Sequence, residues 1–137
     1  MSEQEIHDIC KESRIANYTI NPDGSIDVDR SVYLDRRNLD RIPIKFNKVS
    51  GTFYCSNNKL TSLENVPNEC FRLFCNENRL TSLEGCPKVS SFIAVHYNPL
   101  ESLDGYNGDY DKLYCDNKEK LIRKHERSKR LKILYML

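Results

Sequence analysis

Two stretches decide the fold: FYCSNNKLTSLENVP at residues 53–67 and LFCNENRLTSLEGCP at residues 73–87. They are copies of one another, set 20 residues apart. Working outward, a weaker copy, IAVHYNPLESLDGY, starts at Ile93, and a degenerate one, LYCDNKEKL, at Leu113, each again 20 residues on. In the other direction VYLDRRNLDRIP starts at Val32, 21 residues before Phe53. Self-similarity at a fixed short period is the signature of a solenoid. A unit of this length cannot bury its own apolar face and must stack on its neighbours.

Each unit reads apolar-x-apolar-x-x-Asn-x-Leu-x-x-Leu, which fits the leucine-rich-repeat pattern and its length range. The first inward column is Val32, Phe53, Leu73, Ile93 and Leu113; the second is Leu34, Cys55, Cys75, Val95 and Cys115. Leu39, Leu60, Leu80 and Leu100 follow, then Ile42, Leu63, Leu83 and Leu103. Alternation at the start of each unit predicts a short strand with one buried face, and the later leucines turn the chain inward again. Asn58, Asn78 and Asn98 form a column whose side chains are expected to bond the backbone of adjacent coils; Arg37 and Lys118 take that place in the flanking units. Pro43, Pro67 and Pro87 are assigned to the return side, where no hydrogen-bond ladder is expected.

The fold expected is therefore a leucine-rich-repeat solenoid, α/β but mainly β. About five coils of 20–21 residues would form a short curved parallel sheet within a single domain, 1–137. Residues 1–30 serve as an N-terminal cap, 31–116 as the repeats and 117–137 as a C-terminal cap helix. At the front, EQEIHDICKES (3–13) carries Ile6, Ile9 and Cys10 at helical spacing, and NYTINPDGSIDVD (17–29) reads as a hairpin turning at Pro-Asp-Gly. The string NPDGSID (21–27) has the look of a calcium loop. With Gly24 as its sixth position, however, the first and twelfth fall on Thr19 and Arg30, so no metal is expected there. At the back, KEKLIRKHERSKRLKILYML (118–137) reads as a helix in which Leu121, Ile122, His125, Leu131, Leu134 and Tyr135 pack over the last coil.

Composition bounds the rest. Hydrophobic residues make up 39% and charged residues 30%, as in an ordinary folded protein. The N-terminus is polar and no apolar run reaches the length of a membrane span, so the expected place is the cytoplasm, with no membrane partner. Net charge is +1, but unevenly placed: residues 117–137 hold 8 Lys and Arg against 2 Glu. The six cysteines lack the spacing of a zinc site, and three share one inward column. They read as small buried hydrophobes with free thiols, although neighbouring strands would bring Cys55 and Cys75 close enough for a disulfide.

The strings NYTINPDGSIDVD, LDRIPIKFNKVSG (39–51) and FYCSNNKLTSLE closely resemble the leucine-rich-repeat proteins common in tailed bacteriophage genomes. The likeness covers roughly residues 5–105. The chain departs from that group in its few repeats, in Ala94 and Pro99 of the Ile93 unit, and in its basic tail. The resemblance implies a solenoid and a phage or prophage origin, and no particular activity. The repeat is also similar to the short bacterial effector type, whose roles are in protein recognition.

Residues between the inward columns should point outward onto the concave face. One such column is Tyr33, Tyr54, Phe74, Ala94 and Tyr114; the next is Asp35, Ser56, Asn76, His96 and Asp116; the one before is Ser31, Thr52, Arg72, Phe92 and Lys112. Exposed aromatics flanked by polar and charged groups have the composition of an interface, but an aromatic ladder that only stiffens the sheet would look the same. The candidate binding residues are Tyr33, Tyr54, Phe74, Tyr114, Arg72, Phe92, Lys112, Asn76 and His96. A second candidate surface is the basic patch Lys120, Arg123, Lys124, Arg127, Lys129 and Arg130. Neither a phosphate loop nor a hydrolase or metalloprotease motif is present, and the register sets no nucleophile beside His96, so neither catalysis nor a cofactor is expected. The function expected is recognition of a host protein, inhibiting or adapting a defence factor or nuclease. A nucleic-acid-associated role through the basic helix and stacking tyrosines, or a place as a virion accessory protein, are the alternatives.

Overall fold

The computed structural model describes residues 1–137 as a β-solenoid of about four turns with a helix at each end. The opening helix α1, Glu3–Glu12, starts on a capping box: Glu5 N–H donates to Ser2 Oγ, and Ser2 N–H donates to the Glu5 carboxylate. Its Ile6 and Cys10, one turn apart, are buried in the core. The hairpin β1 (Tyr18–Ile20) and β2 (Ile26–Val28) follows, antiparallel, with Gly24 at φ +86 closing the turn. Hydrogen bonds from the Ser25 hydroxyl and backbone hold the Asp23 carboxyl down at about 2.

Five strand segments then stack in parallel. β3 (Val32–Tyr33), β4 (Phe46–Tyr54), β5 (Glu69–Phe74), β6 (Lys88–Ala94) and β7 (Leu113–Tyr114) align Val32, Phe53, Leu73, Ile93 and Leu113 in one register. That column and Leu34, Cys55, Cys75, Val95 and Cys115 are all buried, as the repeat predicts. So are Leu60, Leu63, Leu80, Leu83 and Leu103, while Leu39 and Leu100 pack half-buried against them.

The asparagines do what a turning chain needs. Asn58 Oδ1 accepts from the N–H groups of Arg37 and Leu39, both at 3.0 Å, and its Nδ2 donates to Leu34 O at 2.8 Å. Asn78 accepts from Leu60 N–H and donates to Cys55 O; Asn98 accepts from Leu80 N–H and donates to Cys75 O. Each side chain thus ties its own coil to the preceding one.

Three expectations need correction. First, β4, β5 and β6 start at Phe46, Glu69 and Lys88, soon after Pro43, Pro67 and Pro87, so the return side carries a ladder of its own. β2 joins that ladder beside β4, and the front cap is one sheet with the repeats. A bulge separates the two ladders on each strand: two residues, Ser50 and Gly51, on β4, but Phe71 alone on β5. Second, Thr52 keeps its register with Arg72 but is buried. Gly51 lets the chain press against the preceding coil there, and Thr52 N–H donates to Ser31 Oγ. Third, α2 (Lys118–Met136) packs only through its first turns, by Leu121, His125 and half-buried Ile122. Leu131, Leu134 and Tyr135 lie exposed, because one helical turn beyond His125 the buried stripe meets Lys129 and the helix leaves the body.

All six cysteines are free thiols. Burial pushes Cys70 up to about 12 and Cys86 to about 11, and also raises Cys55 well above its ordinary value. Burial likewise raises Tyr106 to about 12, and burial with the Glu126 carboxylate raises Tyr110 to about 12. These groups hold their protons more tightly folded than unfolded, so their contribution is complete below their ordinary values and is lost as pH rises through 11 to 12. Thermal melts should therefore hold steady to about pH 9 and fall steeply above it. Thiol titration should count six groups in denatured, unreduced protein, with most reacting slowly in the folded state. A flat melting profile from pH 8 to 11, or a count of four, would contradict this core.

Candidate functional site

The outward face of the strands carries two ladders side by side, one aromatic and one polar. In the first, Tyr33 stacks on Tyr54 with ring centres 4.9 Å apart, and Tyr54 on Phe74 at 5.4 Å, with interplanar angles of 9° and 2°. The fourth rung is Ala94, which is buried. Phe92 fills its place: its ring meets Phe74 edge-on at 5.3 Å and Tyr114 edge-on at 5.3 Å. Five rings from five strands thus form one continuous rail. Its ends are open, with Tyr33 63% and Tyr114 48% exposed, while Tyr54, Phe74 and Phe92 are half-buried.

Cations flank the rail. The Arg72 guanidinium lies 4.7 Å from the Phe71 ring centre and 5.6 Å from that of Phe92, and the Lys118 ammonium lies 5.7 Å from that of Tyr114. Arg72 Nε is buried there without a hydrogen-bond partner. Lys112 is exposed at the end of a single 3-10 turn, Tyr110–Lys112, just before β7. Phe71 and Lys118 escaped the sequence reading. The bulge length that swings Phe71 outward does not follow from the repeat, and Lys118 was assigned to the asparagine column.

The polar ladder runs Asp35, Ser56, Asn76, His96, Asp116, and each of the first four reaches the next coil. Asp35 accepts from Ser56 N–H at 2.6 Å, Ser56 Oγ from Asn76 N–H at 3.0 Å, and Asn76 Oδ1 from His96 N–H at 2.7 Å. His96 Nδ1 then lies 3.1 Å from Asp116, whose other oxygen accepts from Tyr97 N–H at 2.7 Å. Those two bonds, the backbone one first, hold the Asp116 carboxyl below its ordinary value. Burial does the opposite to Asp35, raising it. Asn76 and His96, read as binding residues, thus spend a principal polar atom inside the ladder. What they leave outward is the Asn76 Nδ2 group and the far edge of the imidazole.

The residue after each rung leaves the strand in the left-handed region. Arg36, Asn57, Glu77, Tyr97 and Asn117 all have φ between +54 and +58. Only two of the five are asparagine, the side chain best suited to it. Tyr97 is held this way while 71% exposed, beside the His96–Asp116 pair.

The basic patch lies elsewhere, on α2. Lys124 donates to Glu101 O at 2.6 Å, which fastens the helix to the last coil, whereas Lys129 pairs within the helix with Glu126 at 3.6 Å. Lys120, Arg123, Arg127 and Arg130 are exposed and have no partner within the chain. The geometry defines a solenoid with a rigid aromatic and cationic face and a separate basic helix. Comparison with protein-family models, with curated proteins and with solved structures finds no match to this chain.

Proposed function

We propose that this chain is a leucine-rich-repeat protein of five units, of phage or prophage origin, working in the host cytoplasm as a non-enzymatic module that binds a host protein. Inhibition or adaptation of a defence factor or nuclease is the role such a binder would fill. The supporting observation is the aromatic rail. Its rings are already stacked, so a partner that covers them gains contact area while little side-chain entropy remains to be lost. Arg72 and the exposed tyrosines at the two ends supply the residue types that dominate protein interfaces.

The test is a comparison of variants against a partner found by pull-down and mass spectrometry. Tyr33→Ala with Tyr114→Ala removes the exposed ends of the rail, and Tyr54→Ala with Phe74→Ala its middle. Aromatic anchors contribute about 2 kcal/mol or more each, so either pair should weaken binding at least about a hundredfold. The end pair loses two ring contacts and the middle pair three, at about 0.5–1.5 kcal/mol each, so the end pair should melt closer to the parent. Unchanged affinity in both would reduce the rail to a stiffener of the sheet.

A further inference from the structure

The second half of α2 has no place in the fold or in the binding face. From Leu131 to Leu137 every side chain is exposed, among them Leu134 at 64%, Tyr135 at 89% and Met136 at 85%. At about 100° per residue, Leu131, Ile133, Leu134, Tyr135, Met136 and Leu137 surround the helix axis. Lys132 is the single charge among them. The segment just before is the reverse. Arg123, Lys124, Arg127, Lys129 and Arg130 crowd two to three turns, and the acidic residue among them, Glu126, is engaged by Tyr110 and Lys129. The helix is therefore zoned along its length, with a cationic collar followed by an apolar tip.

That zoning selects among occupants. A protein groove covers one face of a helix and would leave the opposite apolar side chains in water. A second copy would bring two cationic collars together, which repel. Nucleic acid would satisfy the collar and leave the tip wet. A medium that is apolar in every direction, edged by negative charge, matches both zones.

We propose that α2 docks through residues 131–137 into an anionic lipid surface, with their apolar side chains among the acyl chains and Arg127, Arg130 and, at the end of its long stem, the Lys132 ammonium at the phosphates. At about 1.5 Å per residue, the tip reaches about 10 Å, the depth of an interfacial anchor. No helix of the chain is long and apolar enough to cross a membrane, and none is needed. The expected packing of Leu131, Leu134 and Tyr135 over the last coil is not made, and all three are exposed.

Flotation of the full chain with vesicles of phosphatidylcholine alone, or of phosphatidylcholine with phosphatidylserine, tests this. Binding is expected to the serine-containing vesicles and to weaken with added salt. Ile133→Ser with Leu134→Ser and Met136→Ser should abolish it, and Arg127→Gln with Arg130→Gln and Lys132→Gln should weaken it roughly a hundredfold. All six positions are exposed, so both variants should melt like the parent. A Tyr135→Trp chain should show blue-shifted emission on the same vesicles. The proposal fails if vesicles are not bound. It fails equally if the serine variant binds as well as the parent, if the tip instead drives self-association that the serine variant removes, or if only duplex DNA is retained, in a manner sensitive to the glutamines alone.

Discussion

Gly105→Ala is expected to be the most damaging addition of a single methyl group in the chain, unfolding it by about 3 kcal/mol or more. Gly105 sits at φ +92, and a Cβ built there would lie 2.4 Å from Glu84 Cα, 2.5 Å from Glu84 N and 2.5 Å from Leu83 O. All three are backbone atoms of the preceding coil, so no rotamer change relieves the clash. The coils would have to separate where Leu83 N–H donates to Asp104 O at 2.9 Å. Gly85, at the equivalent corner one coil earlier, provides the control. It has a similar φ of +83, but its added Cβ would come no nearer than 3.4 Å to Leu63 O. Gly85→Ala should therefore cost only the left-handed preference, about 1–2 kcal/mol. Chemical denaturation of both variants measures the difference. Equal losses would mean that the corner at Gly105 is looser than drawn.

The contrast between these glycines shows which features the sequence carried. A 20-residue period fixes which side chains recur on the same side of the coil, so the inward columns and the asparagine column could be read directly. It does not fix how closely two coils approach at a corner, and Gly85 and Gly105 look alike in the string. Nor does it fix the bulges. The change from Ser50 and Gly51 on β4 to Phe71 alone on β5 changes the spacing between the two ladders, which leaves Phe71 exposed, while Thr52 keeps its register with Arg72 and is covered by the close approach at Gly51. In the candidate face, the stacking of Tyr33, Tyr54 and Phe74 follows from identical register. The insertion of Phe92 at the Ala94 rung is a tertiary adjustment: a vacancy left by a small residue is filled from the neighbouring column. The polar ladder was within reach, since Asp35, Ser56, Asn76, His96 and Asp116 are all capable of accepting a bond from the next coil. Their outward position led instead to the assignment of two of them, Asn76 and His96, as contact residues. On α2, the step from Leu121 and His125 to Lys129 already marks where burial ends.

Asn58→Ala should cost about 3–5 kcal/mol, and its neighbour of the same residue type, Asn57→Ala, about 1 kcal/mol. Asn58 is buried, and its removal leaves Arg37 N–H, Leu39 N–H and Leu34 O without the partner each now has. An unpaired buried group costs about 1–3 kcal/mol, and a methyl side chain cannot replace either end of the amide. Asn57 forms no side-chain hydrogen bond and serves only the left-handed turn at φ +58, which Ala adopts less readily. Asn78→Ala should fall between them. It deprives Leu60 N–H of its acceptor, but Cys55 O, to which Asn78 also donates, keeps a second donor in Asn58. The order Asn58, Asn78, Asn57 in loss of stability is thus a direct readout of how many coil-to-coil bonds each amide carries. At a total stability of about 5–15 kcal/mol, the first change should take the protein near its folding threshold, visible as a large drop in melting temperature. Equal melting of the Asn57 and Asn58 variants would show that the coils are held by apolar stacking alone and that the amide column is dispensable.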